Sequence, residues 1–96
     1  MVQNPKTYLT REYVAYVLAY ILLKIELGAE DKVLDILKEF KEVREAYIIY
    51  GEYDIIAKID ASDSSRLNEI VLGLRKKCKN TIKDTVTMIT ARGFSR

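Results

Sequence analysis

VREAYIIYGEYDIIAKID, residues 43–60, reads as two β-rich runs around a short polar break. Val43 to Tyr50 and Ile55 to Asp60 are rich in Val, Ile and Tyr, which suit a pleated, half-buried surface. The break, Gly51-Glu52-Tyr53-Asp54, is short and contains glycine, so the two runs pair as an antiparallel hairpin. A hairpin in mid-chain limits what can flank it.

On its N-terminal side, Ala29, Val33, Ile36, Leu37 and Phe40 recur at helical spacing and form one apolar stripe. Glu30 and Asp31 fall in the first turn, with Lys38 and Lys41 near the last, an order that complements the helix dipole. Before that helix, Tyr13 to Ile25 is rich in Val, Ile, Leu and Tyr with no helical polar face, and Glu26-Leu27-Gly28 closes it. It is apolar on both alternating sets, as in a strand covered on both faces. On the C-terminal side, a second helix starts near Asp63 or Ser64, either a good N-cap. Leu67, Ile70, Val71, Leu74 and Cys78 make its buried stripe. Ile82 to Thr90 is the last strand, with Val86, Met88 and Ile89 as its apolar residues.

The order β-α-β-β-α-β predicts an α+β, ferredoxin-like sandwich: a four-stranded antiparallel sheet with two helices on one face. Residues 1–12 carry the one proline, Pro5, and read as an N-terminal arm, leaving 13–96 as the domain. A chain of 96 residues builds one hydrophobic core, and 49% hydrophobic residues place it among compact globular domains. A net charge of +2 gives no concentrated basic footprint for nucleic acid. One cysteine and no histidine exclude the usual zinc site and any intrachain disulfide, and fit a reducing cytoplasm. The longest apolar run, Tyr13 to Leu23, is too short to span a membrane as a helix, and no secretory signal precedes it.

With both helices on one face of the sheet, the other should meet water and read polar. It reads apolar: the first strand is apolar on both faces, with Tyr16, Leu18 and Tyr20 on one, and the hairpin carries Tyr47 and Ile49 on one face and Ala46, Ile48 and Tyr50 on the other. Tyr16, Leu18, Tyr20, Tyr47, Ile49 and Tyr50 are therefore the expected interface residues. A large exposed apolar patch usually marks an interface. We therefore expect a homodimer through the open sheet face. Each buried Ile, Leu or Tyr contributes roughly 2 kcal/mol, so four or five per subunit exceed the cost of association. The alternative cover is the arm, which offers only Val2, Tyr8 and Leu9.

EAYIIYGEYDIIAKI (residues 45–59) and DTVTMIT (residues 84–90), in this element order, resemble the effector-binding half of the Lrp/AsnC, or feast/famine, transcription regulators. The resemblance covers about residues 14 to 91. It implies a stand-alone effector-binding (RAM) domain, of the kind found in archaea and bacteria, without its own helix-turn-helix and without direct DNA binding. It also implies dimers that assemble into rings, octamers or decamers, with a free amino acid or similar small effector held between dimers. The site would lie near the Gly51-x-x-Asp54 turn and the last strand. Met88, Ile89 and Thr90 match positions lining that pocket, and Ser64 one near the start of the second helix. A full-length Lrp/AsnC regulator is an implied partner.

Each candidate also has a plainer reading. Gly51 serves a hairpin position that needs positive φ, or exposes amides that cradle a carboxylate. Asp54 accepts from turn amides, or contacts a ligand's α-amino group. Tyr53 lies in the loop itself, whereas Tyr50 is an ordinary strand tyrosine. Thr85 and Thr87 share one strand face and are common strand residues, or their hydroxyls fix a ligand carboxylate. Met88 and Ile89 are core, or pocket. Arg75, Lys76, Lys77 and Lys79 complement a helix C-terminus, and Cys78 packs as a small hydrophobe. No catalytic residue, metal ligand or cofactor is expected, because nothing has nucleophile–base spacing. The function expected is an amino-acid sensor. Its alternatives are a ligand-free assembly module and a small ferredoxin-like enzyme, since fold alone does not exclude catalysis. A nucleic-acid sheet would need aromatics on the third strand, and IIAKI has none.

Overall fold

The computed structural model describes residues 16–96. The expected arm, 1–12, and the first three residues of the predicted opening strand lie outside the described residues. The elements are β1 (Val17–Ile25), α1 (Glu30–Leu37), β2 (Val43–Ile48), β3 (Ile55–Ala61), α2 (Ser64–Lys77) and β4 (Ile82–Ile89). They form one antiparallel sheet in the order β2-β3-β1-β4. This is the expected ferredoxin-like plan. β1 and β3, the most apolar strands, are central. The edge strands carry Arg44 and Glu45, and Lys83 and Asp84, charges that discourage stray edge pairing.

β1 shows how one strand serves two surfaces. Its odd-numbered residues Ala19, Ile21, Leu23 and Ile25 are buried under the helices. They join Ile55, Ala57, Ile59 and Ala61 of β3, Val33 and Leu37 of α1, and Leu67, Ile70, Leu74 and Cys78 around α2 in one core. Its even-numbered residues point the other way. Among the described residues only one face of β1 is fully covered, not both as its composition led us to expect. Leu18, Tyr20 and Leu22 remain half-buried.

The open face is built in cross-strand rows. Register places Tyr47, Ile56, Leu22 and Val86 side by side. The next row is Glu45, Lys58, Tyr20 and Met88. The first row is wholly apolar. In the second, Lys58 and Glu45 form an ion pair at 3.7 Å.

α1 is shorter than its apolar stripe. It ends at Leu37, so Lys38 is its C-cap and Lys41 lies beyond it. Phe40 still packs on the core because Glu39 and Phe40 donate to Ile36 and Leu37, tightening the last turn. α2 is capped by Asp63, whose carboxylate accepts from the Arg66 amide at 2.8 Å. Arg66 also grips Glu42 with two bonds, 2.7 and 3.1 Å, and Glu69 at 3.2 Å. This clamp ties α2 to the segment entering β2. β2 stops at Ile48, two residues before the predicted end, and β4 stops at Ile89.

Candidate functional site

Three hydrogen bonds fix the turn between β2 and β3. Asp54 donates its amide to the Leu23 carbonyl at 2.8 Å, and its carbonyl accepts from Ile49 at 2.9 Å. Its carboxylate Oδ2 accepts from the Ile25 amide at 2.8 Å. β3 begins at Ile55, so the last amide of β1 has no backbone partner there, and a buried donor must find one. The Asp54 side chain supplies it. Asp54 thus binds the strand beside the turn rather than the amides of the turn. Gly51 has φ +142°, and an added Cβ would meet no atom within 4 Å. Backbone conformation, not crowding, calls for glycine there.

Tyr53 extends the turn toward β4. Its hydroxyl donates to Asp84 Oδ2 at 3.4 Å. Partial desolvation, then the Asp84 carboxylate, push its phenol above the ordinary value. The Lys24 ammonium lies 5.6 Å from the centre of the Tyr53 ring and donates to the Glu52 carbonyl. Lys24 and Asp84 are register partners on β1 and β4. Neither was singled out from the sequence. A signal existed: Lys24 is the one charged residue between Tyr13 and Ile25.

The other candidates scatter along β4 and beyond. Thr85 and Thr87 lie opposite Leu23 and Ile21, on the helix side, and Thr85 Oγ1 accepts from Arg75 at 3.3 Å. Met88 faces the open side opposite Tyr20, 42% exposed, and Ile89 the helix side, 59% exposed. Within one chain neither is core, which corrects that alternative. Thr90 donates both its amide and its hydroxyl to the Leu18 carbonyl, each at 2.9 Å. Ser64 opens α2, just past the far end of β3. About six residues of strand, some 20 Å, separate that end from the turn. One chain therefore gathers Gly51, Tyr53, Asp54 and Thr85 at one end of the sheet. Ser64, Ile89 and Thr90 sit at the other.

The candidate interface residues divide too. Leu18, Tyr20 and Tyr47 share the open face. Tyr16 precedes β1, Ile49 follows β2, and Tyr50 stands fully exposed on the turn. Cys78 is buried, as a small hydrophobe, and burial pushes its thiol up. Lys77 pairs with Glu39 and lies over Phe40. A hollow of about 250 Å³ lies between α1 and β2, lined by Leu34, Leu37, Val43 and Ala46 among others. A smaller one of about 50 Å³ on the open face touches Tyr20, Tyr47 and Ile56. Neither includes the turn. Among the described residues no group of three or more His, Cys, Asp or Glu is placed to hold a metal. No described helix is long and apolar enough to cross a membrane.

Residues 18–94 match the family described as the Lrp/AsnC ligand binding domain. The HTH-type transcriptional regulator FL11 of Pyrococcus furiosus is 34% identical over 55 residues, which are 57% of this chain and 36% of FL11. The chain thus aligns with about a third of the length of that curated relative. The crystal structure of FFRP-DM1 is 36% identical with a TM-score of 0.71, covering 78% of this chain and 99% of that one. The regulator NMB0573 of Neisseria meningitidis, solved as a complex with L-Met, has a TM-score of 0.75 at 14% identity, covering 100% of this chain and 60% of that one. That last likeness is one of fold. The chain belongs to the Lrp/AsnC ligand-binding domain family, a regulatory and not an enzymatic family.

Proposed function

We propose that residues 13–96 form an amino-acid-sensing and oligomerising module that tunes transcription through its own assembly or through a full-length partner regulator. The observation that carries this reading is the Gly51–Asp54 turn. Asp54 ties it to β1 by two bonds and to Ile49, just past β2, by a third, and Lys24 and Asp84 contact its Tyr53. A turn so fixed keeps its exposed amides in place for a ligand at little ordering cost. That a protein of the same fold was solved with L-Met supports an amino acid as the ligand class.

The division of candidate residues between two ends of the sheet argues that the pocket is completed by another subunit. The apolar row Tyr47, Ile56, Leu22 and Val86 supports a homodimer through the open face. Rings of four or five such dimers, an arm over residues 1–12 and a cytoplasmic setting belong to the same proposal. A ligand-free assembly module is favoured by one specific observation: the Asp54 carboxylate already has a structural partner. Calorimetry with each of the twenty amino acids at millimolar concentration decides between the two. The sensing reading expects saturable heat with at least one of them. Silence toward all of them leaves the assembly module.

A further inference from the structure

The hollow between α1 and β2 lies on the helix side of an edge strand and shares no residue with the Gly51–Asp54 turn. Its origin is local. Ala46 stands opposite Ala57 in the register of β2 and β3, so two small side chains sit next to each other beside α1. Leu34, Leu37 and Val43 line the space that is left. Its volume, about 250 Å³, is on the order of eight times the share of one water in the liquid. An apolar body of about six to eight carbons fits there, and apolar walls favour such a guest over water.

Three charged residues reach the hollow: Lys38, Arg44 and Glu45. Both Glu45 oxygens are engaged, Oε2 by Lys58 at 3.7 Å and Oε1 by the Tyr47 hydroxyl at 3.1 Å. Lys38 faces Asp35 at 3.7 Å. Arg44 differs. The register shifts between Val43 and Glu45, which leaves Arg44 as the extra residue of a bulge, and a bulge re-aims the side chain it carries. Among the described residues Arg44 has no ion-pair partner. The rim thus offers one free guanidinium and no free carboxylate. A guanidinium receives a carboxylate through two parallel bonds, whereas an ammonium would find no partner. Charges at Arg44 and Glu45 also guard the edge of β2 against an added strand, which favours a small molecule over an extended peptide.

We propose that this hollow binds a small apolar monocarboxylate without an ammonium group, a fatty or aryl-alkyl acid of about six to eight carbons. Its body fills the space over Ala46 and its carboxylate meets Arg44. The site is separate from the turn, and it stands whether or not the chain senses amino acids.

Calorimetry with octanoate, 1-octanol and 2-aminooctanoate tests it. The three share one chain length, the second lacks the carboxylate, and the third adds an ammonium. The wild type should bind octanoate about tenfold more tightly than either of the others, the worth of one charge-assisted hydrogen bond. Arg44→Gln should bring octanoate to the level of 1-octanol and leave 1-octanol unchanged. Ala46→Leu, which fills the hollow, should weaken octanoate by about tenfold or more. Circular dichroism checks that each variant folds. If Ala46→Leu does not, Arg44→Gln, at an exposed position, decides alone. No saturable heat with octanoate at millimolar concentration overturns the site. Octanoate binding that survives either folded variant intact places the acid elsewhere on the molecule and overturns it as well. 2-Aminooctanoate that binds as tightly as octanoate and is lost in Arg44→Gln overturns the ligand class. Silence toward the twenty amino acids would end the sensing reading and leave these expectations unchanged.

Discussion

The two faces of the sheet are made from the same strands, yet they hold the molecule together at different levels. On the helix side, Ile21 is wholly buried between Ala57 and Thr87 and packed under the helices. One residue on, Leu22 lies in a row just as apolar, with Tyr47 at its edge 57% exposed. Both faces offer hydrophobic area, but among the described residues only one is fully covered. The covered face explains why a single chain folds. The other, open face is the ground for the proposed homodimer.

That comparison can be broken by mutation. The largest effect is expected from Ile21→Ala, which removes fully buried methylenes and leaves a cavity. Chemical denaturation should show a loss of about 3–4 kcal/mol. Leu22→Ala, measured under conditions where the chain is monomeric, should cost about 1 kcal/mol or less, because its surroundings are only half-closed. Equal losses at the two positions would erase the distinction between the faces.

Asp54→Ala comes next. It orphans the Ile25 amide and removes one of the two bonds that tie the turn to β1, and should cost about 1–3 kcal/mol. Hydrogen exchange at Ile25 would report the lost acceptor directly, by rising while exchange in the middle of β3 stays slow. Gly51→Ala is smaller, about 1 kcal/mol, since strain at positive φ is its one penalty. A neutral outcome in thermal unfolding would show that the turn relaxes and is not fixed.

The weakest effect is a pH dependence on the helix side. The bond from Arg66 holds the Glu42 carboxylate below its usual range, outweighing the opposing effect of burial. A lowered folded value means that the clamp stabilises above the ordinary carboxylate range and fades as pH falls through it toward the folded value. Wild-type stability should therefore drop more steeply on acidification than that of Glu42→Gln. Parallel pH profiles would remove Glu42 from the account.

The architecture was legible because its signals are periodic. Leu67, Ile70 and Leu74 specify α2, and the runs either side of Gly51 specify a hairpin, whatever surrounds them. The boundaries were less so. Phe40 continues the stripe of α1 past the end of the helix, because a tightened turn keeps it on the core side. Tyr50 looks like strand by composition and stands in the turn, because register with β3 ends at Ile48.

The site was legible only in part, and for a different reason. The turn announces itself by its glycine, but the partner of Asp54 is an amide of β1, distant in sequence and carrying no side-chain signal. Lys24 and Asp84 become neighbours only through the pairing of the first strand with the last. Ser64 and Thr90, grouped with the turn by resemblance, fall at the opposite end of the sheet. Pairwise geometry of this kind is not written in any one segment.

The claim on which the rest depends is that the open face is an interface. Light scattering on the chain at micromolar concentration, alongside Leu22→Glu, tests it most directly. The account predicts a wild type of at least dimer mass and a Leu22→Glu variant that is folded by circular dichroism at the mass of one chain. A wild type at single-chain mass, or a variant that assembles as the wild type does, would contradict it.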